Sequence, residues 1–411
     1  MKKRLKKIGL TMIAAGFLMA GLSGCGQKKE ILLWHPLSGL DGEYFEQMVQ
    51  AYNDTDPEYP VKSVVQADQY TKIYTMMGSN NKEEIPDLMV YHVERIDVFK
   101  DQGFLDPMDD VIALQPNING DNYVSTAWEP GEIDGQRWAV PLDTHSSLLI
   151  YNKDLVEKYA PGVLDDGVVT FDEMYEVKEN VDDDSIVVYG MNLRSNLVKT
   201  LITELGGSIN DGDMPTLVTP EAKQAYEQLK KLVDDGIAQG DGEDPLALVQ
   251  TGKCIFYQGA TWDAGALNEI EGLNWAFATS PAFDTEHLAN WSSSHQFGML
   301  KKERSDEMKQ GIADFLEFVR TNPELWAKSG QNPASKLFVD SGVYKEYPQA
   351  ILMDDPKTSN SLTIYNFLYT NETSSALDTV TDDIIFGRLS VDEGLAQAQK
   401  EVEDKIAEAT N

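Results

Sequence analysis

Beyond residue 30 the chain alternates short apolar runs with stretches whose apolar residues recur at helical spacing. Ile31–Trp34 is a continuous apolar run of strand length. Phe45, Met48, Val49 and Tyr52 follow at intervals of three, one and three, the spacing of a single helical face. Val61–Val65 predicts a second strand, Tyr70, Ile73, Tyr74 and Met77 repeat the helical interval, and Leu88–Tyr91 predicts a third strand. A β-α-β-α-β order within about sixty residues predicts a parallel sheet with crossover helices, hence an α/β fold.

The alternation persists. Ser147–Tyr151, Ile186–Tyr189, Ile255–Tyr257 and Trp275–Ala278 predict further strands. Thr170 with Glu173 predicts a capping box. Thr219-Pro220 predicts a helix whose inner face is Ala222, Ala225, Tyr226, Leu229, Leu232 and Val233, ended by Gly236. Ser305 opens another helix, Asn322-Pro323 the next, which Gly330 closes, and Ser390 with Glu393 caps the last. At 411 residues the chain exceeds what one core ordinarily serves, so two domains are expected. No repeat or Gly/Ser linker separates them, which predicts a chain that passes between the domains more than once.

The N-terminus departs from this pattern. Lys2, Lys3, Arg4, Lys6 and Lys7 precede an apolar run from Ile8 to about Leu22, too short and wrongly flanked for a membrane span. Leu22-Ser23-Gly24-Cys25 then resembles a bacterial lipobox. That assigns residues 1–24 to a signal peptide, Cys25 to diacylglycerol attachment and residues 25–30 to a lipidated tether. Two acyl chains anchor stably where one is marginal. The expected location is the extracytoplasmic face of a cell membrane, lipid-anchored, in a Gram-positive bacterium. The plain alternative is a secreted protein with an unmodified cysteine. Cleavage would remove five positive charges and no negative one, taking the net charge from −34 to −39. Such acidity excludes a nucleic-acid partner, since nothing neutralises a phosphate backbone. Cys254 is left without a partner, in an apolar run that suits a buried, inert thiol.

No G-x-S-x-G, H-E-x-x-H, Walker or post-strand G-x-G-x-x-G motif occurs. Asp182-Asp183-Asp184 and Asp241-Gly242-Glu243-Asp244 lack the ligand alternation of a calcium loop and read as solvated turns. Carboxylates are too abundant for composition to nominate a hydrolytic pair. His35, His92, His145 and His295 each follow an apolar run or sit in a polar loop, where an open α/β sheet lines its ligand crevice; His287 reads as surface. No pair has helical metal-site spacing, so solute contact is favoured over zinc, with satisfied loop histidines as the bland reading. Trp262, among Gln258, Gly259, Thr261 and Asp263, suits stacking on a sugar face. Trp34 and Trp291 fit that role and ordinary burial equally; Trp128, Trp138, Trp275 and Trp326 need only partial burial.

Several ordered motifs together resemble the family-1 extracellular solute-binding proteins, the maltose-binding-like receptors of ATP-driven importers, over nearly the whole mature chain. They are Ile31–His35, Tyr52-Asn53 with Pro57 and Val61, and Ile85-Pro86-Asp87-Leu88-Met89-Val90. The most specific is Gly135-Gln136-Arg137-Trp138-Ala139-Val140-Pro141 followed by Leu149-Ile150-Tyr151-Asn152-Lys153-Asp154. Gly206-Gly207, Gly252-Lys253 running to Gly259-x-x-Trp262, and Gly330-x-x-Pro333 complete the series.

The resemblance implies two α/β lobes, residues 31–143 with 297–332 and 146–294 with 335–411, joined by three crossings around a ligand cleft. It places Tyr91, Glu94 and Arg95 where the family holds sugar, Asp143 and His145 on the first crossing, and Arg194, Ser195 and Asn196 on a second-lobe loop that touches ligand. Trp262 matches an aromatic sugar platform; Trp34, His35, His92, Asp263, Trp291 and His295 complete the expected contacts. The implied function is capture of a carbohydrate, chiefly an oligosaccharide, by a monomer that delivers it to ABC permease subunits, with no cofactor, no metal and no catalytic residue. Trp34-His35 is also similar to the glycerol-phosphate receptors of the family, although Arg95 and Arg194 are the only evident cleft arginines among six after the leader. An exported carbohydrate-active enzyme and a metal-binding receptor are the readings from other classes.

Overall fold

The computed structural model describes residues 29–78 and 85–410. The expected signal peptide, Cys25 and the tether as far as Lys28 lie outside the described residues.

Strands Ile31–His35, Val61–Val65 and Leu88–His92 are parallel, with the first between the other two, and helices Gly39–Asn53 and Gln69–Met77 link them. Phe45, Met48, Val49 and Tyr52 are all buried, in one core with Ile312, Phe315, Leu316 and Val319 of helix Asp306–Thr321. Each such side chain contributes about 1.5–3 kcal/mol by leaving water. That burial holds the first helix although Ser38 makes no side-chain cap.

The parallel pairing expected for the opening unit is present, but it does not extend to two later strands. His295–Leu300 runs antiparallel to Leu88–His92 and carries Leu105–Asp106 on its other side. The second sheet is ordered Leu362–Ile364, Asn290–Ser293, Asp143–Asn152, Cys254–Ala260, Val187–Met191. Its long strand Asp143–Asn152 is antiparallel to Asn290–Ser293, Cys254–Ala260 and Trp275–Ala278. Asp143–Asn152 and His295–Leu300 enter directly from the other sheet, without the crossover helix that makes neighbouring strands parallel.

The chain passes between the sheets at three places that lie together. Pro141 pairs with Gln296 in the first sheet, and two residues later Asp143 begins the second. Ser293 pairs with His145 in the second sheet, and His295 pairs with His92 in the first. After helix Glu324–Ala327, Asn332-Pro333 pairs with Thr144 and Asp143.

The second sheet's core gathers Leu197 and Leu201, Ala225 and Leu229, and Leu377, Val380 and Ile384 from three helices, Arg194–Glu204, Pro220–Asp234 and Thr370–Ile385. The expected caps form: Thr170 with Glu173, Thr219 to the Ala222 amide, Ser305 to the Met308 amide, and Ser390 with Glu393. Cys254 is buried, its thiol pushed up to about 12 by desolvation. One expectation needs correction. Arg194, Ser195 and Asn196 form the first turn of a helix, not a loop. That helix is entered from Leu193 at φ 47 with no side-chain cap, so it carries no start signature.

Gly330 holds the third passage at φ +91, and an added Cβ would drive into the Thr261 carbonyl and meet Ala264 Cβ at 3.1 Å. Gly330→Ala is expected to cost about 2–4 kcal/mol, since backbone strain and overpacking add. Gly103→Ala, at φ +67 but in open space, should cost only about 1 kcal/mol. Urea unfolding midpoints at unchanged m test this; equal losses would mean that the Thr261 contact is immaterial.

Candidate functional site

His92 ends its strand and stands in register with His295, while His145 lies near the start of the second sheet's long strand, opposite Ser293. The three passages therefore bring three imidazoles from both sheets into one cluster. Ring centroids are 4.3 Å apart for His145 and His295, 4.8 Å for His92 and His295, and 5.7 Å for His92 and His145. One ring nitrogen from each lies within 4.8 Å of the other two, so these residues are able to share a metal ion.

Behind the cluster sits Asp143, which is fully buried. Its Oδ1 accepts from His145 Nδ1 at 3.0 Å and from the His295 amide at 3.0 Å. Its Oδ2 accepts from His295 Nδ1 and Trp326 Nε1, each at 2.8 Å. Trp326, read from the sequence as ordinary partial burial, is thus fully enclosed with a specific partner. Burial would raise the Asp143 carboxyl, but the charge on His295 and the two imidazole hydrogen bonds hold it far below the carboxylate range. Burial would lower His295, and Asp143 reverses this and raises it. His145 and His92 stay lowered, by burial and then by the positive neighbour His295. Asp143 thus favours the proton on His295, while burial disfavours a charge on the other two rings.

The cluster opens on a cavity of about 450 Å³ whose walls include His92, His145, His295, Trp262 and Trp291. Trp262 and Trp291 meet edge to face, centroids 6.3 Å apart, and His145 packs against both. A smaller cavity of about 190 Å³ shares His92 and Trp291 and adds Glu94, Arg95, Asn196 and Lys199. Arg95 lies 4.2 Å above the Tyr70 ring, and the Tyr70 hydroxyl meets His92 Nδ1 at 2.9 Å. Glu94 accepts from Ser293 Oγ at 2.9 Å, and its carbonyl accepts from Asn371 across the mouth at 3.2 Å. A larger hollow of about 760 Å³ lies elsewhere, around Asp106 and Arg304.

Of the expected contacts, His92, Glu94, Arg95, His145, Asn196, Trp262, Trp291 and His295 line these two cavities. The rest do not. Trp34 and Tyr91 are core residues beneath helix Gln69–Met77, because a strand turns alternate side chains away from the cleft edge. His35 is buried against Phe45, its Nε2 3.0 Å from Glu46 Oε1. Arg194 grips Asp382 through two hydrogen bonds of 2.6 and 2.8 Å, and Ser195 donates to Asp378. Sequence reasoning missed Asp41 and Gln331 on the larger cavity and Lys199, Ser374 and Asp378 on the smaller. Burial raises Asp41 and lowers Lys199 to about 8. A basic residue inside a helix's apolar face was the one available signal for Lys199.

Residues 38–324 match the sequence profile of the bacterial extracellular solute-binding proteins. The maltotriose-binding protein of Pyrococcus abyssi is 22% identical over 360 residues, 84% of this chain and 71% of that one. The sn-glycerol-3-phosphate-binding periplasmic protein of Rhizobium meliloti is 21% identical over 388 residues, 85% and 87% of the two chains. An ABC substrate-binding protein of Listeria monocytogenes, solved in complex with cycloalternan, superposes with a TM-score of 0.75 at 16% identity over 93% of this chain and all of that one. At such identity the likeness establishes the fold, the two-lobed architecture of solute-binding proteins.

Asp263 has a different place from the one expected. Its Oδ2 accepts the Ala260 amide at 2.9 Å, tying down the turn that presents Trp262. Burial pushes its carboxyl from 3.8 up to about 6, with that amide opposing. The folded state therefore binds the proton more tightly than the unfolded chain. The associated stability is full below about 3.8 and is lost as pH rises through about 6. Asp263→Asn keeps the acceptor and removes the buried charge. It should raise unfolding free energy at pH 7.5 by about 1–3 kcal/mol, and the gain should shrink towards pH 4. A gain independent of pH would reject this account.

Proposed function

The chain belongs to the bacterial extracellular solute-binding proteins, and on that premise we propose that it is the substrate-binding component of an ABC importer that captures a carbohydrate, chiefly an oligosaccharide, by lobe closure. One observation carries the proposal: two tryptophans set nearly at right angles share a cavity wall with imidazoles at the junction of the two sheets. Indole faces suit the apolar faces of pyranose rings, and polar rims suit their hydroxyls. A maltotriose-binding relative and a cycloalternan-bound neighbour support the same class.

In this reading Trp262 and Trp291 stack on sugar, while His92, His145, His295 and Asp41 meet hydroxyls in the larger cavity. Glu94, Arg95, Asn196 and Lys199 extend the site into the smaller one. Strand pairing supports lobes of residues 31–143 with 297–332 and 146–294 with 335–411, hinged at the three passages. The lipobox supports anchoring through Cys25 on the extracytoplasmic face, and among the described residues no helix is long and apolar enough to cross a membrane. The cargo is released unchanged to the permease, and no catalytic residue is assigned. A glycerol phosphate or glycerophosphodiester is the second reading, favoured by Arg95 and Lys199 in the smaller cavity and by the Rhizobium relative.

Thermal unfolding with neutral oligosaccharides and glycerophosphodiesters in parallel tests both readings. One sugar class, recovered intact, should stabilise the protein by about 4 kcal/mol at a thousand times its dissociation constant. Trp262→Ala should weaken that sugar about 30-fold or more, the loss of an aromatic anchor, with little change in the unliganded melting temperature. Stabilisation by the phosphodiesters alone would select the second reading, and consumption of the sugar would overturn both.

A further inference from the structure

We propose that His92, His145 and His295 bind a divalent transition-metal ion of the zinc class at the floor of the cleft, with one coordination position open to the larger cavity. Three features of the cluster point to an ion rather than to a hydrogen-bonded network alone. First, the carboxylate of Asp143 engages Nδ1 of both His145 and His295, at 3.0 and 2.8 Å. A carboxylate only accepts, so both rings carry their hydrogen on Nδ1 and present Nε2 as the coordinating atom. Nδ1 of His92 is engaged by the Tyr70 hydroxyl at 2.9 Å, which also accepts the His92 amide at 3.1 Å, so Nε2 is again the nitrogen left without a protein partner. A carboxylate or hydroxyl behind each ligating imidazole is the outer-shell pattern that orients metal-bound histidines.

Second, all three rings border the cavity while Asp143 lies wholly behind them. Among the described residues no hydrogen bond engages any of the three Nε2 atoms. A cluster that served only to join the sheets would spend those nitrogens on protein partners.

Third, the distances are within reach of a shared ion. One nitrogen from each ring lies within 4.8 Å of the others. Zinc–nitrogen bonds of about 2.0–2.1 Å in a tetrahedron set the nitrogens about 3.4 Å apart, a spacing that rings packed this closely reach by a small adjustment. His145 belongs to one sheet and His92 and His295 to the other, so a slight rotation at the passages adjusts that separation. Binding releases any proton held at Nε2, and three imidazole nitrogen ligands suit zinc, copper, nickel or cobalt over magnesium or calcium. The buried Asp143 carboxylate offsets half of the ion's charge. The open position faces the larger cavity, and on the carbohydrate reading the ion, in place of direct imidazole contacts, meets a cargo hydroxyl there.

Metal binding is tested without any sugar, so its outcome is separate from that of the carbohydrate reading. Chelator-treated protein titrated calorimetrically with zinc chloride should take up one ion per chain with micromolar or tighter affinity. His92→Gln and His145→Gln should each weaken binding at least about 100-fold, and Asp143→Asn, behind the ligands, about 10–100-fold. His287→Gln should change nothing, because that ring is exposed and paired with Asp284. If the cluster variants fail to fold, cobalt(II)-loaded wild-type protein decides. Its visible spectrum should be that of a four- or five-coordinate nitrogen site, with three hyperfine-shifted exchangeable ring protons. Absence of stoichiometric uptake, uptake unchanged in His92→Gln and His145→Gln, or the spectrum of hydrated cobalt would overturn the proposal.

Discussion

A single buried carboxylate joins the three places where the chain passes between its sheets. Asp143 stands on the first passage, His295 on the second, and Trp326 leads into the third; the carboxylate bonds to side chains from the other two. An unpaired charge at zero exposure would cost several kcal/mol, so the group persists ionised only because four donors converge on it. The consequence is geometric. The donors must come to the carboxylate, and in doing so they draw both sheets to a common point and line up the imidazoles at its edge.

The cleft inherits its chemistry from that arrangement. Asp143 lies behind the wall, while the surface offered to a ligand is aromatic and imidazole, with Asp41 also lining it. The smaller cavity differs, because Lys199, Arg95, Glu94 and Asp378 put both signs of charge around a narrow space. A neutral polyhydroxylated cargo fits the first environment, and the second adds hydrogen-bonding reach at one end. His92 and Trp291 line both cavities.

Several residues act from the second rank. Arg194 and Ser195 fasten the helix that carries Asn196 and Lys199 to Asp382 and Asp378 of a neighbouring helix. Asp263 holds the turn that presents Trp262. Arg194, Ser195 and Asp263 themselves stay off both cavities and fix elements whose other side chains line them.

Local pattern alone determined a good deal: the opening parallel strands, the buried face Phe45, Met48, Val49 and Tyr52, and the capped starts at Thr170, Thr219, Ser305 and Ser390. These depend on residues close in the chain, where period and capping chemistry leave little choice. The indole at Trp262 and the imidazole of His92 were legible for a related reason, since a residue at the end of a strand meets the crevice, whereas His145 and His295 stand at strand starts and His35 is buried. What local pattern could not decide was which of these side chains meet. His92, His145 and His295 show no metal-site spacing because they come from three strands in two sheets. Trp326 looked like an ordinary aromatic until Asp143, 183 residues away in the chain, came within 2.8 Å. Helix Arg194–Glu204 begins at a left-handed leucine that no cap announces. Trp34, His35 and Tyr91 face inward because the sheet's register turns them there. Contacts of long sequence separation arise only when the sheets assemble, and it is there that the tertiary structure chose the site.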